Sequence, residues 1–109
     1  MPARLIIKRR FRDDLKAFLD YIKKDTPLNA EKFKDGIRIQ LDRIRSHPMA
    51  YPKLDLEGLE NNNGFYRFCH YMKSFKIIYS TDSETVTILG IVHDRQNSDS
   101  ILTLSPEPD

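Results

Sequence analysis

Cysteine is nearly absent from this sequence of 109 residues. The lone Cys69 has no partner for an internal disulfide or for a cysteine metal set, and it reads as a small buried strand residue. Long apolar runs are missing too. Nothing approaches the roughly 18 residues that a membrane span requires, and the N-terminus lacks the long apolar segment of a signal peptide. The expected setting is therefore the cytoplasm, with no membrane contact. There is no internal repeat and no low-complexity stretch. The three histidines are scattered, and no His/Cys/Asp spacing resembles a ligand set, so neither a metal nor a cofactor is expected.

What is present describes an ordinary globule, with 39% hydrophobic and 31% charged residues. The length fits one domain over residues 1–109, with a core at about 4–97 and a tail at 98–109. The net charge of +2 conceals an asymmetry. Residues 1–46 carry thirteen Lys/Arg against seven Asp/Glu, whereas residues 47–109 carry five against nine. Arg4, Lys8, Arg9, Arg10 and Arg12 all precede the first acid, Asp13. Such a front could meet nucleic acid, an acidic protein segment, or water alone.

Leu5, Ile6 and Ile7 between charged ends read as a short strand over 4–8. Phe11, Leu15, Phe18, Leu19 and Ile22 then fall on one stripe of a helix over about 11–24. Asp13 and Asp14 would occupy its first turn and Lys23 and Lys24 its last, complementing the helix dipole. Thr26 can cap a second helix that Pro27 opens and Ser46-His47-Pro48 ends. The stripe of that helix is Ala30, Phe33, Ile37, Leu41 and Ile44, and Gly36 invites a close neighbour. No period is visible over 47–64. Strands follow at 65–71, 74–80 and 85–92, joined by short polar turns as an antiparallel meander. The fold class is thus α+β in two layers, an N-terminal strand and a helical hairpin packed on one face of the meander.

The last strand, rich in β-branched residues, stops abruptly in His93-Asp94-Arg95-Gln96-Asn97. A rigid central strand holds residues just past its end in place while they still reach solvent. Together with Asp14-Leu15, Tyr21-Ile22, the helix ending in His47-Pro48, Tyr66-Arg67 and Ile77-Ile78-Tyr79, this ending resembles the RelE/ParE superfamily of bacterial toxins. The likeness spans about residues 4–97, and Ile91 to Asn97 is closest to the ParE branch. It implies the toxin of a type II toxin–antitoxin system, associated with growth arrest and plasmid stabilization and neutralised by a cognate antitoxin. ParE-like members poison DNA gyrase. RelE-like members are endoribonucleases that cut messenger RNA on the ribosome, and a degenerate member would bind only its antitoxin. A homodimer and a toxin–antitoxin hetero-oligomer both remain open.

Two site assignments follow from these alternatives. A toxin acting by binding would present Arg67, His93 and Arg95 to its target. A ribonuclease needs a base, an acid and positive charge on the phosphate, for which the candidates are Arg95, His93, Tyr71, Lys73 and Arg67. His70 and His93 could meet across strands as an acid/base pair. Against this, Tyr71 stands where RelE-like proteins carry an important Arg, no Tyr follows Arg95, and the lysines of the loop are reduced to Lys53. The aromatics from Phe65 to Tyr79 divide by alternation between base stacking and core.

Overall fold

A computed structural model describes residues 4–54, 66–82, 84–94 and 104. The elements are β1 (Arg4–Ile7), α1 (Arg9–Asp25), α2 (Pro27–Ser46), β2 (Tyr66–Tyr71), β3 (Phe75–Thr81) and β4 (Thr85–His93). The sheet order is β1-β4-β3-β2. β2, β3 and β4 form the antiparallel meander expected from the turns, and β1 adds to β4 in parallel, so the sheet as a whole is mixed.

Every predicted stripe residue of α2 is buried, from Ala30 to Ile44. Along α1, Phe11 is buried, and Leu15, Phe18, Leu19 and Ile22 pack half-buried against the same core. The sheet answers with Cys69, Tyr71, Ile77, Tyr79, Val86, Ile88 and Ile91. Edge-to-face ring contacts join the layers, Phe33 to Tyr71 at 5.0 Å and to Phe75 at 4.9 Å. Burying this apolar surface is the main stabilising term, and the aromatic pairs add orientation.

Two local expectations fail. α1 begins at Arg9, directly after β1, so Asp13 and Asp14 lie beyond its first turn, which holds basic residues instead. No side chain caps that start, which is why the sequence carries no signal for it. Thr26 does separate the helices, but its side chain makes no cap hydrogen bond. The backbone makes the turn instead: the Thr26 N–H donates to the Ile22 carbonyl at 2.9 Å, and the Thr26 carbonyl accepts from Asn29 and Ala30. This single-residue connection folds α2 back along α1.

The second sheet face is also covered in part. Tyr66, Ile78, Leu89 and Val92 are buried there with Leu104, and Leu54 and Phe68 pack against them. The Tyr66 hydroxyl donates to the Leu104 carbonyl at 3.0 Å. At Leu104 the tail therefore covers a sheet face. A register shift opposite Ile78 and Tyr79 pairs them with Gly90 and Ile88, which leaves Leu89 as an extra residue in β4. That shift lets Ile88 and Ile91, three residues apart, serve the same core beneath the helices, while Leu89 and Val92 serve the other. The covering of β4 on both faces explains its near-continuous apolar run.

Candidate functional site

One end of the sheet gathers the end of β4 and the β2–β3 turn. His93 pairs with Phe75, their rings edge-to-face at 5.0 Å. The Asp94 N–H donates to the Ser74 carbonyl at 2.8 Å, tying the strand end to the turn that carries exposed Met72 and Lys73. Arg95, the next residue, lies outside the described residues, as do 96–103.

The remaining candidates are not brought together there. Tyr71 is buried, and its hydroxyl donates to the Phe33 carbonyl at 2.7 Å. Burial first, and the Asp35 carboxylate second, push its phenol above the ordinary value, so it is a structural donor rather than a base. Arg67 is only 8% exposed, and its Nη1 donates to the Tyr51 carbonyl at 2.6 Å. The sequence placed Arg67 on a target-binding surface; the structure uses its charge to fasten the segment after α2 onto the sheet. His70 pairs with Lys76 on β3 and stacks edge-on to Phe68, whereas His93 faces the helices beside Phe75. β3 lies between their strands and the rings sit on opposite sheet faces, so the expected His70/His93 pair does not form.

A half-buried polar network surrounds Arg67. Gln40 Nε2 donates to the Tyr51 hydroxyl and to Cys69 Sγ, both at 2.9 Å, and the Tyr79 hydroxyl donates to the Pro48 carbonyl at 2.6 Å. Desolvation dominates at Cys69 and at Tyr79 and raises both pKa values. Both groups therefore stay protonated at neutral pH. Cys69 is the buried strand residue the sequence implied.

Asp14 does a job that the sequence reading missed. Beyond Ile88, β4 has outrun β1, and the Asp14 carboxylate accepts from the buried Ile91 N–H while Arg10 Nε lies 3.3 Å from it. Desolvation is the largest influence and raises its pKa above 3.8, against the pull of Arg10 and Ile91. With the folded value raised, the folded chain holds more protons than the unfolded one between 3.8 and that value. Stability from Asp14 is thus present below pH 3.8 and is lost as pH rises through the folded pKa. Denaturant melts of wild type and Asp14→Asn from pH 3 to 7 should show the variant gaining on wild type as pH rises; a loss would mean that Arg10 and Ile91 outweigh desolvation.

A second region lies at the opposite edge of the sheet. Leu5 and Ile7 of β1, with Ile39 and Leu41 of α2, line a groove of about 580 Å³ beside Arg38, Asp42, Arg43 and Arg45. β1 has no strand beyond it among the described residues, so its outer edge faces this groove's surroundings. Among the described residues, no group of His, Cys, Asp and Glu could hold a metal ion.

A helical hairpin over a mixed four-stranded sheet, with a basic front, defines a small two-layer α+β domain. The family model described as "ParE toxin of type II toxin-antitoxin system, parDE" matches residues 5–98, and the chain belongs to that family. Among solved structures it resembles the chromosomal ParDE toxin–antitoxin system from P. aeruginosa. That likeness has a TM-score of 0.67 at 18% identity and covers 84% of this chain and 95% of the other. A copper-bound mutant toxin from Helicobacter pylori is similar over 84% of this chain and 93% of its own, with a TM-score of 0.51 at 15% identity. At such identities the likeness concerns the fold. No curated protein matches the chain.

Proposed function

We propose that this chain is a toxin that arrests growth by poisoning DNA gyrase and is held inactive by a cognate antitoxin. The observation that carries this reading is the ParE family match over residues 5–98. The site geometry supports action by binding. Tyr71 and Arg67 are committed to buried hydrogen bonds, and the two strand histidines lie on opposite faces. His93 and, from the sequence, Arg95 stay as target contacts at the end of β4. Arg95 follows the last described residue of that strand end, where a guanidinium fork can bind a phosphate or a carboxylate in two places.

The groove between β1 and α2 is the proposed seat of the antitoxin. Its apolar floor and its three arginines fit an acidic amphipathic segment. No helix among the described residues is long and apolar enough to cross a membrane.

Purified protein should inhibit gyrase supercoiling or stabilise cleaved DNA, and should leave messenger RNA intact on translating ribosomes. Codon-positioned cleavage of that RNA would favour the endoribonuclease and return Lys73, His93 and Arg95 to catalytic roles. Co-expression with the product of the neighbouring gene should yield a stable complex, and separate elution at low salt would remove the antitoxin assignment.

A further inference from the structure

Met72 is the one described non-glycine residue with a positive φ, at 52°. In the left-handed region a side chain crowds the backbone, so glycine and asparagine are the favoured occupants and a methionine there is uncommon. The side chain gains little from the fold in return, since it is 57% exposed.

The conformation is imposed by what surrounds the turn. Before it, the Tyr71 hydroxyl is fixed on the Phe33 carbonyl at 2.7 Å. After it, Phe75 packs edge-on against Phe33 at 4.9 Å and Phe18 at 5.1 Å. Ser74 accepts from the Asp94 N–H. A strained residue persists only where its neighbours over-determine it, and such residues gather at contact and functional sites. The backbone of the tip is therefore fixed before any partner arrives, which reduces the ordering cost of binding.

Charge adds a second, independent observation. No Asp or Glu occurs between Glu60 and Asp82, so the charged side chains of the β2–β3 hairpin itself are cations, and the acids nearest its tip come from other elements, Asp94 beside Ser74 and Asp35 near Tyr71. Lys73 is exposed beside Met72, and Lys76 Nζ lies 5.4 Å from the Phe68 ring on the outer face.

We infer that the Met72–Lys73 tip is the contact by which the toxin seats on its protein target, with Met72 entering an apolar pocket whose rim is acidic. The inference rests on the toxin reading given above and names the surface that serves it. A protein fits better than nucleic acid. Phosphates would engage the lysine and leave the thioether in water, whereas an adaptable apolar side chain on a fixed backbone beside a cation matches a pocket in an acidic surface. β1 and β2 are opposite edges of the sheet, so the tip lies away from the groove assigned to the antitoxin.

The test compares Met72→Gly, Met72→Asn, Met72→Leu and Lys73→Glu with wild type in three readouts. These are growth arrest against expressed toxin level, inhibition of purified gyrase holoenzyme, and thermal melting. Met72→Gly and Met72→Asn relieve the backbone, so they should melt as high as wild type or up to about 5 °C higher. They should nevertheless need at least about tenfold more toxin for the same arrest, the loss of a single anchor contact. Met72→Leu should retain most activity, and Lys73→Glu should weaken arrest at unchanged melting. Met72→Gly arresting growth at the wild-type level would overturn the proposal, as would loss of arrest in proportion to a lowered melting temperature. Full loss in Lys73→Glu with Met72→Gly unaffected would assign the tip to nucleic acid and also overturn it. A wild type that arrests growth without touching gyrase would sink the gyrase reading alone; the comparison of arrest between Met72→Gly and wild type would still decide the tip.

Discussion

Arg67→Ala should lower the stability of the domain by about 2–4 kcal/mol, the range for removing a buried, charge-assisted hydrogen bond together with its packed stem. The guanidinium donates to the Tyr51 carbonyl at 2.6 Å, and Lys53 pairs with Arg67 as an isolated bridge along the outer side of β2. The Phe68 N–H donates to the Pro52 carbonyl and the Leu54 N–H to the Tyr66 carbonyl, so the segment after α2 runs as a short cover over that strand edge. Truncating the arginine removes the donor and leaves a carbonyl unsatisfied beneath the cover. Arg67→Lys keeps charge and stem but presents one ammonium in place of a fork, so it should recover only part of the loss. Urea denaturation should show the order wild type, Lys, Ala, with growth arrest falling only as far as the folded fraction falls. A stability loss under about 1 kcal/mol combined with abolished arrest would return Arg67 to the target-binding surface that its sequence context indicates.

The burial of Arg67 shows where the sequence ceases to be informative. The α2 stripe is a local property, since a 3.6-residue period fixes which side chains share a face, and every stripe residue is buried. The β4 run is legible for the same reason, and so is the meander, because the turns are encoded beside the strands they join. Whether an arginine on β2 meets water depends on a segment sixteen residues away in the chain folding over it, and no period encodes that. Asp14 was legible as an acid near a helix start, but it accepts from the Ile91 N–H, which lies beyond the last β1 pair because β1 is shorter than β4. Met72 carried no local signal at all, because methionine does not announce a left-handed residue; the conformation is set by the anchors on either side. Gly36 is the contrary case. A glycine inside a strongly periodic helix has to be explained by something pressed against it, and the sequence alone could state that much.

Gly36→Ala should destabilise the protein by about 1–3 kcal/mol, although helix propensity alone favours alanine by about 1 kcal/mol. The neighbour is Tyr71, whose hydroxyl occupies the space a β-carbon would need, with Cζ of the ring 3.1 Å from that position. A tyrosine tip could often swing away, but this ring is held edge-on against Phe33 at 5.0 Å and its hydroxyl donates to the Phe33 carbonyl. Displacing it leaves a buried hydroxyl without a partner and loosens the ring pair, while the Phe33 carbonyl keeps its own helical hydrogen bond. Those two losses exceed the gain in propensity. Because the collision is with the hydroxyl, Tyr71→Phe should be costly alone yet should relieve Gly36→Ala, making the double variant more stable than the sum of the two single losses predicts. A double-mutant cycle by chemical denaturation reads that coupling directly. Simple additivity, or a stabilising Gly36→Ala, would mean that the helix and sheet separate freely at this point and that the glycine is not needed for their close approach.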